Sequence, residues 1–192
     1  MDRRCLLMSF AGVFALAFGV PAGAQSRGTG DFASRFLRDL LRVAQSGNVG
    51  AVSEYLRDRV DTQYAFDNAF EGIAAGEGQK RRLAELVLLF LSREAIMLAD
   101  MSQGGQMRVS GSRSVEQGTV VDVAYRDAAG DYPLFVLVGE GEQLGSNLVK
   151  DFGSSEESSV VSRLAYAMQS LQQVTPDADV WIESFSRSLA EG

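Results

Sequence analysis

The sequence predicts an α+β fold in which helices gather on one side of a curved, about four-stranded antiparallel sheet. Three observations predict it. Apolar residues recur at spacings of three and four up to Met101 and again after Glu156, as in helices that bury one face. From Met107 to Phe152 the period falls to two, as in strands. The order of four helices, four strands and two helices segregates the two kinds instead of alternating them, which is how α+β chains are built. Neither an internal repeat nor a linker long enough to divide the chain interrupts this order.

The chain opens with Asp2, Arg3 and Arg4, an apolar run from Cys5 to Val20, and Ala22-Gly23-Ala24. A charged head, an apolar middle and small residues before a cut are the parts of a secretory signal peptide, so residues 1–24 are expected to be cleaved and the rest exported. The apolar run is shorter than the ~20 residues a membrane span requires. Cleavage leaves 168 of 192 residues, enough for one domain with a real core, and takes the net charge from −7 to −8 because Asp2, Arg3 and Arg4 go with it. An acidic surface repels polyanions, so no nucleic-acid partner is expected. Cys5 is the one cysteine and the chain has no histidine. Disulfides, Ser–His and Cys–His nucleophiles and the usual zinc sites are therefore excluded from the mature chain, and neither a metal nor a cofactor is expected.

Each element follows from its own pattern. Residues 25–30 are polar and glycine-rich and read as a flexible lead-in, which makes 31–192 the folded domain. Asp31 is placed to cap a first helix through Ser46, with Phe32, Phe36, Leu37, Leu40, Leu41 and Ala44 on one stripe and Gly47 ending it. Asn48 caps a second helix through Val60, on which Val49, Val52, Leu56 and Val60 share a face. A third, Tyr64 to Ala75, shows Phe66, Phe70 and Ile73 before the Gly76-Glu77-Gly78 break. The long helix from near Gln79 to Met101 is apolar all round between Leu86 and Leu91, so it needs cover on more than one face. The strand region is the expected cover on one side.

Ser102-Gln103-Gly104-Gly105 turns the chain into strands at Met107–Val115, Thr119–Arg126, Tyr132–Gly139 and Asn147–Phe152. The second alternates Val121, Val123 and Tyr125 against Val120, Asp122 and Ala124. The third is apolar on both faces, with Leu134, Val136 and Val138 opposite Phe135 and Leu137, and Pro133 at its start. Glu156–Gln173 and Asp177–Ala190 close the chain as helices separated by Thr175-Pro176.

In order and spacing these elements resemble the MlaC-type periplasmic phospholipid-binding proteins, the toluene-tolerance auxiliary proteins of ABC transporters. The match runs over nearly the whole mature chain. Phe66-Asp67 stands where that family has a phenylalanine–aspartate pair, Leu86, Phe90 and Leu98 lie on the long helix, and Asp127 to Gly130 form the hairpin turn. Asp151, Ser158 and Val160 fit the junction of last strand and following helix, while Leu148 and Glu156 stand where the family has tryptophan and glycine.

The resemblance implies a cone-shaped fold of NTF2-like kind with acyl chains held between sheet and helices. It implies a non-enzymatic, monomeric shuttle that carries phospholipid between an outer-membrane lipoprotein complex and an inner-membrane ABC transporter complex. It also implies that lipid-facing residues come from Phe66, Phe70, Leu86, Val87, Phe90, Val121, Val123, Leu134, Val136 and Val138. On periodicity alone the same ten read as ordinary close-packed core.

Other features are weaker. Lys80-Arg81-Arg82 reads as a solvated helix face, and Gly139-Glu140-Gly141 lacks the strand–turn–helix setting of a nucleotide site. Asp122 and Tyr125 are an odd number of residues apart on one strand and so point to opposite faces. An exported enzyme or adaptor of related fold, with a small apolar pocket and no lipid, is the alternative. Its mark would be a desolvated carboxylate inside that pocket.

Overall fold

The period-two segment forms the expected sheet. In the computed structural model, which describes residues 22–71, 76–101, 105–128, 130–141, 146–175 and 177–191, four antiparallel strands lie in chain order. They are β1 (Gln106–Val115), β2 (Gly118–Arg126), β3 (Asp131–Glu140) and β4 (Asn147–Gly153). Register shifts between Val109 and Gly111 and between Leu137 and Val138 are bulges, which bend a strand and increase its twist. At the β1–β2 turn, Gly118 has φ +149° and any Cβ there would sit 2.1 Å from the Val138 carbonyl oxygen, so no other residue fits. Pro133 lies beyond Phe135, where β3 pairing with β4 ends, so a missing donor on that side is harmless.

The helices are α1 (Ala22–Ala44), α2 (Val49–Arg57), α3 (Thr62–Ala69), α4 (Glu77–Asp100), α5 (Val160–Val174) and α6 (Ala178–Glu191). Most differences from the sequence reading are at helix ends. α1 continues upstream of Asp31 through residues 25–30, where a flexible lead-in was expected, so Asp31 is a mid-helix residue and not a cap. The reason is tertiary: Gly30 is buried with its open side toward Val109 of β1, and packing outweighs the poor helix propensity of glycine. The expected signal peptide falls outside the described residues as far as residue 21. Gly47, at φ +66°, donates its N–H to Ala44 and ends α1 as expected.

The Asn48 carboxamide accepts the Ala51 N–H at 3.1 Å, as a cap should, but α2 stops at Arg57. Val60 instead joins the open edge of β4, with Asp61 N–H bonded to the Val149 carbonyl and Val149 N–H to the Arg59 carbonyl, both at 2.8 Å. The Asp61 side chain then caps α3 on the Tyr64 N–H at 2.9 Å, which starts that helix earlier than Tyr64. Ile73 and the Ser102–Gly104 turn lie outside the described residues. Ser159, bonded to the Ser162 N–H at 3.0 Å, starts α5 later than Glu156.

α4 is covered on several faces, though not by the strands as expected. It packs on α1, α2, α3, α5 and α6, while the sheet is met by α1, α3 and α5. α1 touches α4 and all four strands, whereas α3 and α5 meet α4 and the sheet at β4, so α1 is the broadest of the three joins between the layers. Behind α4, α6 supplies Trp181, Ile182 and Phe185, none more than 2% exposed, with the Phe185 ring 6.1 Å from Phe90 and the Trp181 ring 6.4 Å from Phe70. Replacing Phe185 by alanine is therefore expected to lower stability by about 3–5 kcal/mol, read as a lower urea midpoint at unchanged slope.

Candidate functional site

The inner face of the sheet is an apolar surface that helices close over. Val121, Val123 and Tyr125 of β2, Leu134, Val136 and Val138 of β3, and Val149 and Phe152 of β4 are all buried there. The alternation read from the sequence is correct on both faces, since Val120, Phe135 and Leu137 form a separate outer patch with Tyr64 and Val115. α1 lies over the inner face with Ala33, Phe36, Leu37, Leu40, Leu41 and Ala44 buried, and the Phe36 ring meets Phe152 edge-on at 5.8 Å. α2 also holds α1, the Tyr55 hydroxyl donating to the Phe36 carbonyl at 3.1 Å.

The ten residues expected to face lipid fall into two groups within one apolar cluster. Val121, Val123, Leu134, Val136 and Val138 stand together on the inner face of the sheet. Phe66, Phe70, Leu86, Val87 and Phe90 stand in the helical layer, where Phe66 and Phe70 pair at 4.8 Å and Phe70 and Phe90 meet α6. Eight of the ten are at most 9% exposed, and Phe66 and Leu86 are half-buried. The structure therefore brings the sheet group toward α1 and the helical group toward α6.

Two cavities among the described residues border the sheet. One, about 500 Å³, lies between α1 and the start of β1, over Leu41, Met107 and Tyr125, with Arg38, Arg42, Gln45, Gly105 and Gln106 around it. Leu41 and Tyr125 belong to the inner-face cluster and Met107 packs against it, so the floor of this cleft is the edge of the apolar interior. None of these residues was in the sequence-derived set. Tyr125 was legible, because it continues the Val121–Val123 alternation, whereas Arg38 and Arg42 carried no signal beyond their spacing of four on a helix. The other cavity, about 870 Å³, lies largely against the outer face, among Arg108, Asp122, Arg126, Asp131, Phe135 and Glu156, and of the ten expected residues it touches Val123 and Leu134. Asp122 thus lines the outer cavity and Tyr125 the inner cleft, on opposite faces.

Two carboxylates are desolvated. Burial pushes Asp151 up to about 6, against the opposing pull of the Ser159 side chain, the Val161 and Phe152 N–H groups and the Arg163 charge. Its Oδ1 accepts from Phe152 N at 2.8 Å and from Val161 N at 3.1 Å, which fastens β4 to the first turn of α5. Glu94 of α4, 8% exposed, is also raised by burial and pairs with Arg163 of α5. Neither lines either cavity. Lys80 and Arg82 make surface ion pairs with Glu77 at 2.9 Å and Glu183 at 3.5 Å, as a solvated face does. Among the described residues no group of three histidine, cysteine or acidic side chains gathers to hold a metal ion.

No family model matches the chain, and no curated protein matches it in sequence. Its fold is similar to the solved structure of a phospholipid-binding protein from Ralstonia solanacearum in complex with a phospholipid, with a TM-score of 0.66 and 13% sequence identity. The likeness covers 87% of this chain and 96% of that one, so it extends over the sheet and its helical cover together.

The Asp151 carboxyl has a folded-state value above its unfolded one. Its contribution to stability is fully present below the unfolded value and is lost as pH rises through about 6. Relative to Asp151→Asn, the wild type is expected to lose stability between about pH 4 and pH 7, measured as the difference in urea unfolding free energy. A pH-independent difference would mean that burial does not set the shift.

Proposed function

We propose that this protein is an exported, periplasmic phospholipid carrier of the MlaC type. It works as a monomer without chemical turnover and docks transiently on an outer-membrane lipoprotein complex and an inner-membrane ABC transporter complex. The observation that carries this reading is the apolar inner face of the sheet, closed by α1 and opening at the Leu41–Met107–Tyr125 cleft, in a fold like that of a protein bound to phospholipid. Burying acyl chain gains ~0.8 kcal/mol per methylene, so such an interior needs few polar contacts to hold lipid. The side chains between α1 and the sheet are buried as they stand, so on this reading lipid enters as α1 moves off the strands.

The enzyme reading needs a desolvated carboxylate in a pocket. Asp151 and Glu94 are desolvated, but one fastens a helix and the other faces an arginine, away from both cavities.

Organic extraction of the exported protein followed by mass spectrometry is expected to yield phospholipid in near-stoichiometric amount. Protein that contains none, and that takes up none from vesicles, would end the carrier reading. The route past α1 is tested separately. A Cβ built on Gly30 lies 3.7 Å from Val109 Cγ1, so Gly30→Cys with Val109→Cys is expected to form a disulfide between α1 and β1. The oxidised pair is expected to load lipid severalfold more slowly than its reduced form. Equal loading rates would rule out movement of this part of α1.

A further inference from the structure

The cleft beside α1 is lined by basic and neutral polar side chains on a chain that is acidic as a whole. The chain carries a net −7, yet among the described residues the polar side chains that line this opening are two arginines, Arg38 and Arg42, and two glutamines, Gln45 and Gln106, and no carboxylate is among them. Arg38 and Arg42 are four residues apart on α1 and therefore rise from one side of the helix. Arg42 pairs with Asp39 at 3.0 Å, but its side chain remains 75% exposed. Arg38 reaches Ser34 Oγ only at 3.5 Å, and no ion pair holds it among the described residues. Beneath them, the Tyr125 hydroxyl accepts the Gly105 N–H at 2.7 Å and keeps its own proton to donate. The outer cavity differs, because Asp122, Asp131 and Glu156 offset its arginines.

We infer that this cleft holds the phosphodiester of the carried lipid, its negative charge against Arg38 and Arg42 and its acyl chains directed past Leu41, Met107 and Tyr125 into the interior. The inference rests on the carrier reading and goes beyond it by naming what is recognised: the phosphate charge, not the alcohol esterified to it. Guanidinium forks suit phosphate oxygens, and the apolar residues Leu41, Met107 and Tyr125 of the same lining suit the glycerol ester and the first methylenes.

The test uses the full exported chain stripped of lipid, and measures uptake of phosphatidylglycerol and of diacylglycerol, which has the chains but no phosphate, from neutral carrier vesicles. Arg38→Gln with Arg42→Gln is expected to reduce phosphatidylglycerol uptake roughly tenfold, as the loss of two partly exposed charge contacts predicts, while diacylglycerol uptake changes less than twofold. The conservative pair Arg38→Lys with Arg42→Lys is expected to recover most of the loss. Circular dichroism and the melting temperature show whether each variant is folded. If the glutamine pair takes up phosphatidylglycerol as the wild type does, or loses both lipids equally, the phosphate site is overturned while the carrier reading stands. A wild type that takes up neither lipid overturns both. Soluble sn-glycerol 3-phosphate supplies the remaining arm. Arginine-dependent binding of this ester by a wild type that takes up no lipid would assign the cleft to a free phosphate ester and overturn the lipid assignment.

Discussion

The fold depends on one constraint: the inner face of the sheet is apolar across three strands, and something must cover it. α1 does so, with a stripe of six buried residues from Ala33 to Ala44. The other helices hold α1 in place. Tyr55 of α2 bonds to its Phe36 carbonyl, and α4 packs behind it. α6 then closes the far side of α4 with Trp181 and Phe185. The sequence of layers is sheet, α1, α4 and α6, with α3 and α5 meeting the sheet at β4, so that over β1, β2 and β3 α1 is the main helical cover.

The strands were legible almost residue by residue, and the helices less so. A period of two assigns both boundaries and faces, since a slip of one residue would turn Val121, Val123 and Tyr125 outward and Asp122 inward. Helix ends depend on which side chain caps them, and Asp61 and Ser159 act as caps only because the chain has already bent there to meet β4. The start of α1 was hidden for a similar reason. Gly28 and Gly30 argue against helix locally, and only the presence of Val109 opposite Gly30 explains why the helix continues. The all-round apolarity of Leu86–Leu91 correctly required cover on several faces, but a helix cannot state what will cover it, and helices took the place expected of strands.

The candidate site shows the same division. Its sheet half was legible, because alternation places Val121, Val123, Leu134, Val136 and Val138 on one surface. Its helical half was not, because Phe90 of α4 and Phe70 at the end of α3 meet α6, an element far away in sequence. Arg38 and Arg42 are ordinary helix-surface residues until β1 arrives beside them and makes a cleft. Asp151 is the opposite case. Its place at a strand–helix junction was legible from the resemblance, and the structure gives it a physical role there, holding the first turn of α5 against β4.

A carrier that exchanges cargo with membranes has to approach a surface rich in negative charge without staying on it. A net charge of −7 opposes lasting adhesion to such a surface at separations within a Debye length, about 8–10 Å at physiological salt. The same repulsion would keep a phosphate away from a uniformly acidic opening. In a carrier of the proposed kind, two arginines at the mouth, only one of them paired with a carboxylate (Arg42 with Asp39), would reconcile these demands, since their attraction acts over a few ångströms. Affinity can then come from the methylenes inside and selectivity from the charge at the rim, so the two need not be traded against each other.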